Sequence, residues 1–358
     1  MRLRGTCFLI AVALASPEAQ AQVMRQPPRR LEDLRAQAIR DSCDPSALYD
    51  FGLALLTRHE YDAADSEFAH ATAVDPSFAP AYLALGIVQE PNGRHWDQLR
   101  HHGDTAVAQE ARRRRSFFRK SLMLDPVVDF SALLGSAIYR LAQFEYAYGA
   151  SRRSIDSIQP EVLWLNAIAA ARNGREQRAI LDVEALVRQA VFRERNDSTH
   201  VVPLRTNDFR YLLGALHQRI GENTMAIDQY NAVIANDIGH YMAHVQLARI
   251  HEREKDWFNA LRERRLAIEI NPDDPTLYYD LGSTLAHAER WQEAEEPLTH
   301  ARDMNACYFP TYLTLGIVEQ HLGKTDNARA LFNAFLAVAP SRQEAQVAEA
   351  RQHLAEMP

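Results

Sequence analysis

The chain of 358 residues is 47% hydrophobic, 24% charged and 9% aromatic, which excludes disorder throughout and any collagen-like or low-complexity structure. With only 14 Gly and 16 Pro beside abundant Ala, Leu, Glu, Arg and Gln, the composition leans towards helix. A formal net charge of −7 argues against generic binding to nucleic acid or an anionic membrane, both of which need a positive field.

The first residues combine a basic start (Arg2, Arg4), an apolar stretch from Cys7 to Ala15 and the small-x-small tripeptide Ala19-Gln20-Ala21. These are the three parts of a secretory signal peptide, residues 1–21, with cleavage expected after Ala21 and a periplasmic or secreted destination. Cleavage would remove Arg2, Arg4 and Glu18 and take the net charge from −7 to −8. No later apolar run approaches the roughly 20 residues of a membrane span, so no transmembrane anchor is expected after cleavage. Residues 22–44 form an N-terminal segment. Cys43 and Cys307 would then share an oxidising compartment. Counting repeats along the chain places them near opposite ends, beyond the roughly 7 Å that a bridge allows. Free thiols, or a bond between molecules, are the expectation.

From residue 45 a 34-residue period governs the chain. In block 45–78, Leu48, Phe51, Gly52 and Leu55 occupy positions 4, 7, 8 and 11, and Ala64, Phe68, Ala71 and Pro76 occupy positions 20, 24, 27 and 32. A second block opens at Ala79 with Tyr82 and Leu85-Gly86, but its closing Phe118, Ser121 and Pro126 arrive 16 residues late, marking an insertion at about 91–110. Residues 129–159 match poorly, and 160–193 is recovered through Gly174, Ala179 and Val183. This degenerate half, 45–193, is followed by an inserted connection, 194–206.

Residues 207–342 divide without a gap into four 34-residue blocks. Leu213-Gly214, Leu247-Ala248, Leu281-Gly282 and Leu315-Gly316 hold positions 7 and 8, and Ala226, Ala260, Ala294 and Ala328 hold position 20. Gly221 and Gly323 fall at position 15; Pro272 and Pro340 fall at position 32. Positions 4, 7, 8 and 11 share one stripe of a first helix, and 20, 24 and 27 one stripe of a second. Small residues at 8 and 20 let the two helices approach, and Pro at 32 ends the second. Residues 343–358 supply a last amphipathic helix that caps the stack.

This pattern resembles the tetratricopeptide repeat (TPR) family, here of an exported bacterial type. The resemblance implies an all-α fold, a right-handed α-solenoid of about eight stacked helix-turn-helix repeats with essentially no strand. It also implies a non-catalytic scaffold that binds a protein or peptide partner, with no cofactor.

No serine-hydrolase elbow, phosphate loop, zinc helix, EF-hand or Cys-x-x-Cys pair occurs. His217, His244 and His251 fall at packing positions 11, 4 and 11, so they read as interhelical packing groups. His240 and His244 have metal spacing but no evident third ligand, and no metal site is assigned. The insertion carries His95, His101, His102 and Asp104, read first as a polar loop. On the following helix Arg112, Arg115 and Arg119 share one side, within a basic run that ends at Lys120.

Positions 2, 5, 6, 9 and 13 lie opposite the packed stripe of the first helix. The resemblance implies that this side lines the concave groove. In the regular half those positions include Tyr211, Arg219, Gln246, Arg249, Arg253, Tyr279, Asp280, Ser283, His287, Thr314 and His321. Arginine grips carboxylates in a two-pronged geometry and tyrosine buries area at low entropy cost, so the face suits an extended, acidic or carboxylate-bearing peptide. The equivalent residues of the N-terminal half, Tyr49, Leu53, Leu83, Ala84 and Ile87, are more apolar, an apolar groove or a face covered by the segment from Arg29 to Arg40. The Lys and Asn clamp with which some relatives hold chaperone C-termini is absent. The leading expectation is an envelope scaffold for protein partners. The alternatives are a metal-dependent or enzyme-accessory module built on 91–110, or capture of an anionic envelope polymer by the Arg112–Lys120 segment.

Overall fold

The computed structural model describes residues 30–87, 109, 113, 116–117, 119–125, 167–196, 205–340 and 343–357. The described residues contain helices and turns and no strand. In chain order the helices are α1 (Leu31–Arg40), α2 (Pro45–Thr57), α3 (Tyr61–Val74), α4 (Ala79–Ile87), α5 (Glu176–Asn196), α6 (Thr206–Arg219) and α7 (Asn223–Asn236). They continue with α8 (Tyr241–Arg253), α9 (Trp257–Ile270), α10 (Pro275–His287), α11 (Trp291–Met304), α12 (Pro310–His321), α13 (Thr325–Val338) and α14 (Glu344–Glu356). Residues 119–124 and 167–172 are helical as well. The fold is all-α and TPR-like, built from helical hairpins.

The chain divides into two compact units. One comprises residues up to Leu34 together with Tyr49–Ala69 and Phe78–Asn236; the other comprises Arg35–Leu48, His70–Ser77 and Asp237–Pro358. The two helices of the first regular block, α6 and α7, therefore fall in one unit and those of the other three blocks in the second.

The period predicts where the chain turns and where it packs. Asp44-Pro45-Ser46 and Asp274-Pro275-Thr276 open α2 and α10 alike: proline sits at the first helical position, and the aspartate accepts from the backbone N–H two residues on, at 2.9 and 3.1 Å. The second helices α3, α9 and α13 stop at Val74, Ile270 and Val338, two residues ahead of Pro76, Pro272 and Pro340. Inside the hairpins, position 8 lies against the side chain at position 24. A Cβ on Gly214 would come within 2.8 Å of the Tyr230 ring, and one on Gly316 within 2.7 Å of the Phe332 ring. Only glycine lets those helices approach so closely. Ser121, which is buried, donates its hydroxyl to Ala79 O at 2.9 Å and so ties the late-arriving second helix of that block to α4.

In the second unit α8 to α14 pack each against the next in chain order. One core cluster gathers Leu261, Leu285, Leu298, Leu315, Val318 and Leu331 from five successive helices. Another joins Leu313, Phe332 and Phe335 to Ala350 of α14, and the His353 ring stacks on Phe332 at 5.1 Å, so α14 closes the apolar end of the stack.

Three features depart from the reading of the sequence. Residues 31–40 are a helix, with Leu34 and Ala38 buried and Glu32, Asp33 and Arg40 placed to complement its dipole. Helix α5 has 21 residues against 14 for α7, α9 and α11, and runs on to Asn196. Finally, Cys43 and Cys307 are not free thiols: they form an intramolecular disulfide with Cα atoms 5.0 Å apart across a sequence separation of 264. Linear repeat counting failed there because residues 35–48 and 70–77 belong to the same compact unit as the C-terminal blocks. Of the histidine-bearing insertion, His95, His101, His102 and Asp104 lie outside the described residues.

Candidate partner-binding face

The candidate residues sit on the first helix of each regular hairpin, and the structure sorts them into buried, tied and open groups. Tyr211 on α6 is 2% exposed, donates its hydroxyl to Met123 O at 2.5 Å and packs its ring 5.5 Å from Tyr230. It is a packing residue and presents nothing to a partner. Gln246 on α8 is likewise buried. Arg219 reaches Glu176 of α5 at 3.4 Å.

Asp280 is tied by a residue that periodicity did not single out. Arg264, at position 24 of α9 where the other regular hairpins carry Tyr230, Leu298 and Phe332, is 4% exposed. Its guanidinium pairs with Glu252 at 2.9 Å and with Asp280 at 2.5 Å, and Thr284 donates to Glu252. A buried cation needs compensating charge. Asp280 supplies half of it, so its carboxylate serves the hairpin interface before any ligand.

Tyr279, Ser283, His287 and Thr314 form a connected polar and aromatic strip on α10 and α12. Thr314 Oγ1 donates to the Tyr279 hydroxyl at 3.4 Å, and His287 Nδ1 lies 2.7 Å from Ser283 O. The Tyr308 ring meets Tyr279 edge-on with centroids 5.3 Å apart. Burial, with the Asp280 carboxylate adding to it, lifts the Tyr279 hydroxyl above its ordinary value despite hydrogen bonds to Thr314 and Ser283. His321 is exposed and stacks flat on Trp291 at 3.9 Å. Trp291 was legible as a recurrence, since position 17 also carries Tyr61 and Trp257.

Arg249 and Arg253 are the open pair. They are four residues apart on α8, half-buried and exposed respectively, and neither makes an ion pair or hydrogen bond among the described residues. One turn of helix presents both to the same side. Elsewhere in the same hairpin, Arg262 and Arg264 are paired.

The histidines are engaged in packing. His217 Nδ1 lies 2.7 Å from Glu222 Oε2, and His244 Nδ1 lies 2.7 Å from Glu263 Oε2. Burial pushes the Glu263 carboxyl up, but hydrogen bonds from His244 and Arg262 outweigh it and hold it below the usual carboxylate range. His251 lies 3.5 Å from Asp256. Among the described residues no three His, Cys, Asp or Glu side chains gather in a way that could hold a metal ion, and no helix is long and apolar enough to cross a membrane. In the basic run, Arg119 pairs with Asp208 at 3.0 Å, Lys120 lies 4.9 Å over the Tyr82 ring and Arg113 lies 5.3 Å over Phe117.

No protein-family model and no curated protein matches the chain. Among solved structures, the C-terminal part of a TPR repeat-containing protein from Cytophaga hutchinsonii is 16% identical, covers 62% of this chain and 81% of its own, and has a TM-score of 0.45. MamA from Desulfovibrio magneticus RS-1 is 18% identical, covers 51% of this chain and 97% of its own, and has a TM-score of 0.42.

Proposed function

We propose that the protein is a non-catalytic, TPR-like scaffold that holds an extended segment of a protein partner, acidic or ending in a free carboxylate, in the bacterial envelope. The observation that carries this reading is the open arginine pair. Two guanidinium groups that make no ion pair or hydrogen bond among the described residues, on a helix whose neighbouring hairpins offer a tyrosine-centred polar strip, can grip a carboxylate while an adjacent apolar side chain packs on an aromatic edge. The engaged histidines support a scaffold over an enzyme, since the paired titratable groups on these helices serve packing. The N-terminal signal pattern and the intramolecular disulfide support export to an oxidising compartment. Capture of an anionic polymer is the weaker reading, because Arg119 is paired and Lys120 and Arg113 lie over aromatic rings.

Selection from random peptide pools tests the proposal. Pools with acidic residues and a free C-terminal carboxylate should enrich, and amidation of the winning sequences should weaken binding by about tenfold, roughly 1.4 kcal/mol. Enrichment of basic sequences, or indifference to both acidity and amidation, would sink the reading.

A further inference from the structure

The disulfide joins two stretches of one compact unit that lie 264 residues apart in the chain. Residue 43 lies in the turn between α1 and α2, and residue 307 in the connection between α11 and α12. Beside the bridge, the Asn305 side chain donates to Ala73 O and Val74 O at 3.2 and 3.0 Å, so the C-terminal end of α3 meets the same connection. Both cysteines are half-buried.

Acidic groups gather at this junction. Asp75 follows α3 and Asp274 caps α10, and both carboxylates, with Asp280, act on the Tyr308 hydroxyl. Asp280 pairs with Arg264, which it shares with Glu252, and Asp75 is hydrogen-bonded by the Ser77 N–H and hydroxyl at 2.8 and 2.6 Å. Burial nevertheless pushes the Asp75 carboxyl up, and the Asp274 charge adds to the rise. Burial and the surrounding carboxylates together hold the Tyr308 hydroxyl well above its ordinary value. Like charges brought together out of water favour separation.

We propose that Cys43–Cys307 is a redox-gated clasp: the intact bridge holds residues 41–44 and 73–77 against the 305–308 connection, and reduction by a dithiol lets that junction open. In the reduction, a dithiol thiolate attacks one sulfur, the S–S bond breaks and a mixed disulfide forms. The second thiol of the reductant then displaces the remaining cysteine. Two electrons and two protons leave Cys43 and Cys307 as thiols, and the reductant becomes a disulfide. Because Tyr308 packs on Tyr279, opening also removes one wall of the proposed binding strip. That consequence rests on the binding reading; the clasp itself does not.

Hydrogen exchange read by mass spectrometry on the full chain tests the clasp without any partner, with Cys7→Ser in every sample so that only two thiols report. On adding dithiothreitol at neutral pH, backbone amides of residues 73–77 and 305–309 should exchange roughly tenfold faster while those of α8 and α9 stay unchanged. The Cys43→Ser/Cys307→Ser variant should behave like the reduced protein, and Asp75→Asn should slow the reduced junction again. Equal exchange with and without reductant would overturn the proposal. So would acceleration spread evenly over α8 to α13, which marks a plain stability staple, or no slowing by Asp75→Asn.

Discussion

At position 15 of the described hairpins the backbone turns left-handed. Gly174, Gly221 and Gly323 have φ of 70°, 81° and 74°, and His59, Lys255 and Glu289 adopt the same conformation with φ of 64°, 59° and 58°. The geometry is required because the next N–H must reach back to close the first helix: Asp256 N bonds to His251 O at 2.8 Å and Arg290 N to Leu285 O at 2.9 Å. A residue with a Cβ is held there at a cost of about 1 kcal/mol that glycine avoids. Lys255→Gly and Glu289→Gly are each expected to stabilise the protein by about 1 kcal/mol, seen as a melting temperature higher by about 2 °C. A drop in melting temperature for both would show that these side chains contribute more than their conformation costs. The glycines at this position were legible from the repeat phase. At His59, Lys255 and Glu289 the repeat phase marked the turn but not its left-handed backbone, because nothing in a His, Lys or Glu announces a positive φ.

At the scale of the hairpin, one rule relates the two helices: a small residue at position 8 receives a large one at position 24. Gly52 receives Phe68, Gly214 receives Tyr230 and Gly316 receives Phe332. In the second regular hairpin Ala248 stands at position 8 and Arg264 at position 24, so an ionic group replaces the ring. Removing only the cation would leave Glu252 and Asp280 facing each other, and Arg264→Leu is expected to cost about 3 kcal/mol. Adding Glu252→Gln and Asp280→Asn should recover most of that, measured by denaturant unfolding. If the single substitution proves neutral, the network contributes nothing to folding and Asp280 is free for a ligand. Periodicity located position 24 but could not tell that Arg264 would be buried, since an arginine on a helix usually reads as surface. For the same reason Asp280 looked available from the sequence when α9 already holds it.

Over the whole chain, the helical hairpins were legible because their signal is local and repeats. The disulfide was not, because it depends on which distant segments share a compact unit. Tyr308, next to Cys307, was missed with it, although it supplies an edge of the strip around Tyr279. Of the candidate face, Tyr279, Ser283, His287 and Thr314 come together, Arg249 and Arg253 stay open, and Tyr211 and Gln246 are buried. Helical phase alone does not reveal what a neighbouring helix covers. The most direct test of the binding account is titration of the tightest selected peptide against the Arg249→Glu/Arg253→Glu protein. The account predicts at least a tenfold loss of affinity, about 1.4 kcal/mol, with unchanged melting. Unchanged affinity with a lowered melting temperature would make the pair structural and contradict it.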